Sequence, residues 1–87
     1  MKLAQLLDLS AATPLWSELC AARGRALEID ASHVERLGGL CLQSLLAAQA
    51  QWRAEGLAFS ITNPSAAFVE GARLMGAHDL APAEGVA

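Results

Sequence analysis

Twelve consecutive residues carry most of the information in this sequence: Ile29-Asp30-Ala31-Ser32-His33-Val34-Glu35-Arg36-Leu37-Gly38-Gly39-Leu40. They pass from the end of a strand pattern through a polar loop to two glycines that open a helical pattern. In parallel α/β folds, ligands and partners bind beyond the carboxyl ends of the strands. Paired glycines at a helix start leave backbone N–H groups open and allow another chain to approach closely. Alternatively, both glycines only form a sharp turn between loop and helix, and the pair alone does not separate these interpretations.

Strand and helix patterns alternate on both sides of this segment. Strand patterns lie at residues 3–9, 25–30 and 57–62, and helical patterns follow at 13–23, 40–55 and 65–75. Residues 31–39 are predicted to be irregular. The order strand–helix, repeated three times, predicts right-handed crossovers and an α/β fold whose mostly parallel sheet is covered by about three helices. We expect a single domain over residues 1–80 and a disordered C-terminal tail over 81–87.

Local turn and capping chemistry predicts where the helices begin and end. Ser10 or Thr13 is expected to cap the first helix. Gly24 and Gly56 are expected to end the first two helices in a left-handed conformation. Asn63-Pro64-Ser65 is expected to begin the last helix.

Helical spacing also predicts which side chains are buried. Leu15, Trp16, Leu19 and Cys20 recur on one stripe of the first helix, which is therefore expected to face the core. Cys20 and Cys41 are expected to be reduced thiols that pack as small core residues.

Composition excludes several classes of function. The 87 residues are 54% hydrophobic and 17% charged, and the formal net charge is −3. The basic residues form no stripe that could neutralise phosphates, which argues against nucleic-acid binding. No apolar run approaches the roughly 20 residues that cross a bilayer. The N-terminus lacks the layout of a signal peptide, so we expect a cytoplasmic protein.

The residues that carry enzyme chemistry are not arranged for it. His33 and His78 have no partners at metal-ligand spacing. No nucleophile elbow surrounds Ser32 and His33, and Asp30 and Glu35 do not form a recognisable acid–base pair. We therefore predict that the chain is not an enzyme and uses no cofactor or metal.

The segment Asp30–Leu40 resembles the STAS family of sulfate-transporter and anti-sigma-antagonist domains. In that pattern a strand ends in Asp, a short loop follows, and Asp-Ser-Ser-Gly-Leu opens a helix; Gly39-Leu40 matches the final Gly-Leu. The resemblance extends over about residues 8–80, and it implies a domain that docks on a protein partner. Family members commonly begin with a strand hairpin. This chain has only one short strand pattern there, so the N-terminal hairpin is expected to be shortened.

The departure from this pattern lies just before the helix. Where anti-sigma antagonists have Asp-Ser-Ser, this chain has Arg36-Leu37-Gly38, and Gly38 matches the phosphorylated serine. Because Gly38 has no hydroxyl, it cannot be phosphorylated and the family's charge switch cannot operate there. Ser32 and Ser44 are nearby hydroxyls, but nothing marks them as substitutes.

The resemblance implies a non-catalytic regulatory module similar to an anti-sigma-factor antagonist, in bacterial signalling of the chemotaxis or stress-response type. Its expected partner is an anti-sigma, histidine-kinase-like or other signalling protein. Arg36 could form a bidentate contact with a partner carboxylate. Leu37 is either an apolar anchor for the partner or packs inward beneath the loop. The expected partner-binding residues are His33, Glu35, Arg36, Leu37, Gly38, Gly39 and Gln43.

Three alternatives stand beside this hypothesis. The first is an accessory STAS subunit of an ABC-type lipid-transport system. The second is a nucleotide or small-anion binding module that uses the amides of Gly38 and Gly39, although no Walker-type lysine accompanies them. The third is a structural subunit that forms a homodimer through an apolar helix or sheet edge.

Overall fold

The computed structural model describes residues 1–77 and 80, so the expected disordered tail at 81–87 lies outside the described residues. The elements are β1 (Leu6–Leu7), a short 3₁₀ helix (Leu9–Ala11), α1 (Ala12–Ala21), β2 (Leu27–Asp30), β3 (Arg36–Leu37), α2 (Gly39–Ala54), β4 (Phe59–Thr62) and α3 (Ala66–Leu74). The predicted α/β class, with parallel strands and three helices, is confirmed.

Every strand pairing in the described residues is parallel. β1 pairs with β3, with Leu6 opposite Arg36, and β2 pairs with β4, with Asp30 opposite Thr62. A single bridge between Lys2 and Asp30 joins the N-terminal segment to β2. The strands therefore present their carboxyl ends in the same direction.

The strand β3 corrects one expectation, because residues 31–39 were predicted to be irregular throughout. Arg36 and Leu37 form a two-residue strand against β1. A strand of two residues is too short to show a periodic pattern in the sequence. It forms because β1, about thirty residues earlier in the chain, pairs with it.

The described strands form two two-stranded sheets, and the core lies between them and the helices. Leu7, Ile29, Leu45 and Phe68 are at most 1% exposed. Trp52 is equally buried; its indole Nε1 donates a hydrogen bond to the Arg25 carbonyl at 2.7 Å, which satisfies its only polar atom.

The α1 helix buries a narrower stripe than its sequence predicts. Leu15 and Leu19 are buried, as expected, but Trp16 is 47% exposed and Cys20 is exposed. The expectation that Trp16 and Cys20 belong to the core is therefore wrong. Each follows a buried leucine by one residue, a rotation of about 100° that turns it from the core toward solvent. Cys41 is buried, as predicted.

The predicted helix ends are confirmed where they depend on local chemistry. Gly24 and Gly56 have φ angles of +91° and +71°, which only glycine adopts easily. Ser65 caps α3, because its hydroxyl accepts a hydrogen bond from the Phe68 N–H at 3.1 Å. The predicted cap of α1 is wrong.

At the start of α1, neither of the two predicted hydroxyl residues acts as the cap. The N-cap is Ala11, which makes no side-chain capping bond. Asp8 instead caps the preceding 3₁₀ helix by accepting from the Ser10 N–H. Because the 3₁₀ turn precedes α1, the side-chain capping bond is made by Asp8, upstream of Ser10 and Thr13.

Candidate functional site

The carboxyl ends of the strands are tied together by the loop that follows β2. The Ala31 N–H donates to the Thr62 carbonyl at 2.9 Å, and the Ser65 N–H donates to the Ala31 carbonyl at 3.1 Å. The Ser65 hydroxyl also donates to the Val34 carbonyl. Ala31 and Val34 are buried. The packing of these two side chains therefore fixes the loop in addition to its hydrogen bonds.

Gly38 follows β3 directly and lies against the backbone of β1. Its N–H donates to the Leu7 carbonyl at 2.8 Å. A Cβ atom added to Gly38 would lie 2.8 Å from that same carbonyl oxygen and 3.7 Å from the Cα of Asp8. The backbone of β1 therefore occupies the place that a side chain of residue 38 would need.

Gly39, unlike Gly38, has free space where a side chain would lie. It is exposed, and a Cβ atom added to it would have no neighbour within 4 Å. Gly39 is the first residue of α2, and no side chain forms a capping hydrogen bond at this helix N-terminus. The first turn of a helix carries free N–H groups and a partial positive charge, so this end of α2 can receive acceptor groups from another molecule.

Two exposed leucines flank the opening. Leu9 is 75% exposed and Leu40 is 55% exposed. The segments that carry them touch, because the Cys41 thiol donates to the Asp8 carbonyl at 3.5 Å. Gln43 lies one turn along α2 and is exposed. We call Leu9, Gly39, Leu40 and Gln43 the α2 corner.

The sequence interpretation missed both leucines of the α2 corner. In the sequence, Leu9 ends an apolar strand pattern and Leu40 begins a helical pattern. A single leucine at the edge of a periodic segment does not show which way it faces, so no signal in the sequence could have identified them.

Two ionised carboxylates lie at the same edge of the fold. The Ser10 hydroxyl, 2.7 Å from Asp8 Oδ1, holds the pKa of the Asp8 carboxyl below its ordinary value. The Ser32 N–H, 2.9 Å from Asp30 Oδ1, does the same for the pKa of the Asp30 carboxyl. Both side chains serve turns of the backbone by accepting local hydrogen bonds.

The predicted binding residues upstream of Gly38 face different directions. Arg36 and Leu37 are neighbours in β3, so their side chains point to opposite faces. Arg36 is exposed, whereas Leu37 is half-buried and lies under Gly71 of α3, where an added Cβ would be 3.2 Å from the Leu37 Cβ. The inward-packing alternative for Leu37 is therefore favoured.

The remaining predicted residues lie on the exposed loop between β2 and β3. His33 is exposed, and the Glu35 carboxylate accepts a hydrogen bond from the side-chain amide of Gln5. The Glu35 N–H also donates to the Gln5 carbonyl at 2.7 Å. Glu35 therefore has a structural role in attaching the loop to the N-terminal segment.

Three further observations concern metal ions, anions and membranes. Among residues 1–77 and 80, no group of three or more His, Cys, Asp or Glu side chains could hold a metal ion. The Gly38 amide is already bonded to Leu7, so only the Gly39 amide of the glycine pair is available to an anion. No helix in the described part of the chain is both long enough and apolar enough to cross a membrane.

Fold and site together define a small parallel α/β domain with an open helix N-terminus beside the carboxyl ends of its strands. The family model described as "Mlab, STAS domain" matches residues 1–82. The chain belongs to the STAS domain family, as its sequence resemblance indicated. No curated protein and no solved structure matches it.

Proposed function

We propose that this chain is a non-catalytic regulatory module that docks on a protein partner through the α2 corner. Its membership of the STAS family supports a regulatory interaction domain of the general anti-sigma-antagonist type. The observation that carries the proposal is the open space at Gly39, at an uncapped helix N-terminus between two exposed leucines.

Gly39 has no structural reason to lack a side chain. A Cβ atom would meet nothing, and the residue has no left-handed φ angle. Replacing a glycine by alanine where the fold has room for the methyl group stabilises a protein by about 0.4–1 kcal/mol, because it restricts the unfolded chain. Because no part of this fold needs the space beside Gly39, we attribute the glycine to the close approach of a partner, for example of its backbone.

The two leucines supply the apolar part of the surface. Hot spots of protein interfaces are a few side chains that become buried at the centre of the contact. Leu9 and Leu40 are available for this role because solvent now covers them. Arg36 and His33 are exposed polar residues that we assign to the rim of the same contact.

The proposed partner is a signalling protein of the anti-sigma or histidine-kinase-like class. Docking would not be switched by phosphorylation at the family position, because Gly38 has no hydroxyl and β1 fills the adjacent space. The matched model is described as "Mlab" and names no anti-sigma factor, so the accessory subunit of a lipid-transport system stays as the second candidate.

The test is a binding titration with purified partners chosen from proteins encoded beside this gene. A histidine-kinase-like anti-sigma factor and a transporter ATPase represent the two candidates. The variant Gly39→Trp fills the open space and is expected to weaken binding by at least tenfold. Ala54→Trp is the matched control, because it adds the same side chain at an exposed position at the other end of α2.

Leu40→Glu provides a second variant at the same surface, since it replaces an exposed leucine and leaves the core intact. Thermal melting of each variant verifies that the fold is retained. Full binding by Gly39→Trp and Leu40→Glu would reject the α2 corner as the docking surface. Loss of binding by Ala54→Trp as well would show that the surface has been located wrongly.

A further inference from the structure

The strand β4 has an open edge in the part of the chain that the structure describes. Among residues 1–77 and 80, β2 is the strand that pairs with it. The Ala58 and Thr62 carbonyls accept hydrogen bonds at 2.9 Å from backbone N–H groups of the β2 segment. Because alternate residues of a parallel strand bond to a given neighbour, the N–H and C=O groups of Phe59 and Ile61 point away from β2. No described residue forms a hydrogen bond with these groups.

This edge lacks the features that usually protect an edge strand from pairing, which are charged side chains, proline and β-bulges. Residues 57–62, Leu-Ala-Phe-Ser-Ile-Thr, contain no charged residue and no proline. The register between β2 and β4 is continuous. Phe59 and Ile61 are only half-buried, whereas Ile29, in register with Ile61, is fully buried. The apolar core therefore extends to the open edge, where the side chains of an added strand could cover it.

The opposite face of the same strands is polar and carries an unpaired carboxylate. Ser60 of β4 and Glu28 of β2 are in register, are both exposed and line an open cleft of about 820 Å³. The N-terminal ammonium of Met1 donates to the Glu28 carbonyl and not to its carboxylate, and no ion pair of the described residues includes Glu28. The Glu18 carboxylate lines the same cleft. Arg25 lines it too, but it precedes Glu28 by three residues, about 10 Å along an extended chain.

We propose that an extended segment of a protein partner adds to β4 as a further strand, with apolar side chains on the core side and a lysine or arginine on the other. Its backbone pairs with the N–H and C=O groups of Phe59 and Ile61, and its apolar side chains cover the same two residues. Neighbouring strands are about 4.8 Å apart, so the added strand lies roughly 10 Å from β2. A lysine or arginine side chain can extend over the small Ser60 side chain toward the Glu28 carboxylate.

The charge of Glu28 favours a separate partner over segments of this chain. A second copy could pair its own β4 with this edge, but residues 57–62 bring no lysine or arginine to Glu28. Residues 75–87 contain no lysine or arginine either, and they include two acidic residues, Asp79 and Glu84. Either occupant would leave the Glu28 carboxylate without a cation. The β4 edge shares no residue with the α2 corner, so this inference goes beyond the docking function proposed above.

Amide hydrogen exchange of the full chain, measured by NMR, tests whether the edge is free. The Phe59 and Ile61 amides should exchange rapidly, whereas the Ser60 and Thr62 amides, which face β2, should exchange slowly. Protection of Phe59 and Ile61 that does not depend on protein concentration would show that the chain covers its own edge. Protection that increases with concentration would show that a second copy covers it. Either result would overturn the proposal.

The same measurement with a synthetic peptide that alternates valine and lysine tests the occupant. This pattern gives a strand one apolar and one basic face. Adding the peptide should protect the Phe59 and Ile61 amides, and a peptide that alternates valine and glutamate should bind more weakly. No protection at about 1 mM of the lysine peptide, or equal binding of both peptides, would overturn the proposal.

A charge reversal in the protein tests the assigned role of Glu28. Glu28→Lys should weaken binding of the lysine peptide by about fivefold and strengthen binding of the glutamate peptide, because an exposed ion pair is replaced by a repulsion. Glu70→Lys is the matched control, since it makes the same charge change at an exposed position in α3. It should bind both peptides like the parent chain. Equal effects of the two substitutions would overturn the role of Glu28, since only the net charge would then matter.

Discussion

The two adjacent glycines offer the sharpest test of the structure, because the same substitution should have opposite effects on them. In Gly38→Ala, the new methyl group would lie 2.8 Å from the Leu7 carbonyl oxygen. Ordinary contacts begin at 3.4 Å, so the carbonyl would have to retreat by about 0.6 Å. That carbonyl also accepts the hydrogen bond from the Gly38 N–H, so the retreat would weaken the β1–β3 pairing.

Overpacking of this kind costs about 1–3 kcal/mol. For a domain of this size, 1 kcal/mol corresponds to a change in Tm of about 4–8 °C. We therefore expect Gly38→Ala to lower Tm by about 5–20 °C. Gly39→Ala meets open space and reduces the freedom of the unfolded chain, which should stabilise the fold by about 0.4–1 kcal/mol and raise Tm by a few degrees.

Thermal melting followed by circular dichroism, together with urea titration, measures both effects. An unchanged m-value in urea would show that the difference lies in stability and not in the compactness of the unfolded state. Gly38→Ala at the stability of the parent chain would refute the close approach of Leu7. A destabilised Gly39→Ala would refute the open environment of Gly39. Gly38→Ser, which supplies the hydroxyl of the family pattern, should be destabilised for the same reason as Gly38→Ala.

Two further predictions concern the hydrogen bonds that tie the loop after β2. Ser65→Ala should lower the free energy of unfolding by about 1–2 kcal/mol in urea, because it removes the cap on the Phe68 N–H and the bond to the Val34 carbonyl; Ser65→Thr keeps the hydroxyl and should recover most of the loss, and equal losses in both variants would contradict the capping role. The pKa of the Asp30 carboxyl is lowered in the fold by the Ser32 N–H, so its contribution to stability is present above about pH 4 and is lost as pH falls through the folded pKa. Urea titrations across this acid range should therefore show a flatter pH dependence for Asp30→Asn than for the parent chain, and identical slopes would contradict the shift.

Some of this structure follows from short stretches of sequence. The α/β class follows from the alternation of strand and helix patterns. The ends of α1 and α2 follow from Gly24 and Gly56, and the start of α3 follows from Ser65. Each of these features depends on the conformation of one residue or on hydrogen bonds across one turn, so neighbouring residues are enough to predict it.

Part of the candidate site could be predicted from the sequence and part of it could not. The loop-to-helix pattern singled out Gly38 and Gly39 as a pair and left two interpretations of it open. The pattern could not show that an added Cβ atom would be blocked at Gly38 and free of contacts at Gly39. That distinction depends on Leu7, about thirty residues earlier in the chain, whose carbonyl lies against Gly38 and not against Gly39.

The sequence by itself determined the order of the elements, most of their boundaries and the family of the domain. Tertiary structure alone decided that Arg36 and Leu37 form a strand, that Trp16 and Cys20 face solvent, and that Leu9 lies beside the start of α2. The physical reason is the same for all of these features. Each depends on which distant segment packs against a residue, and a local pattern of apolar and polar residues contains no information about that neighbour.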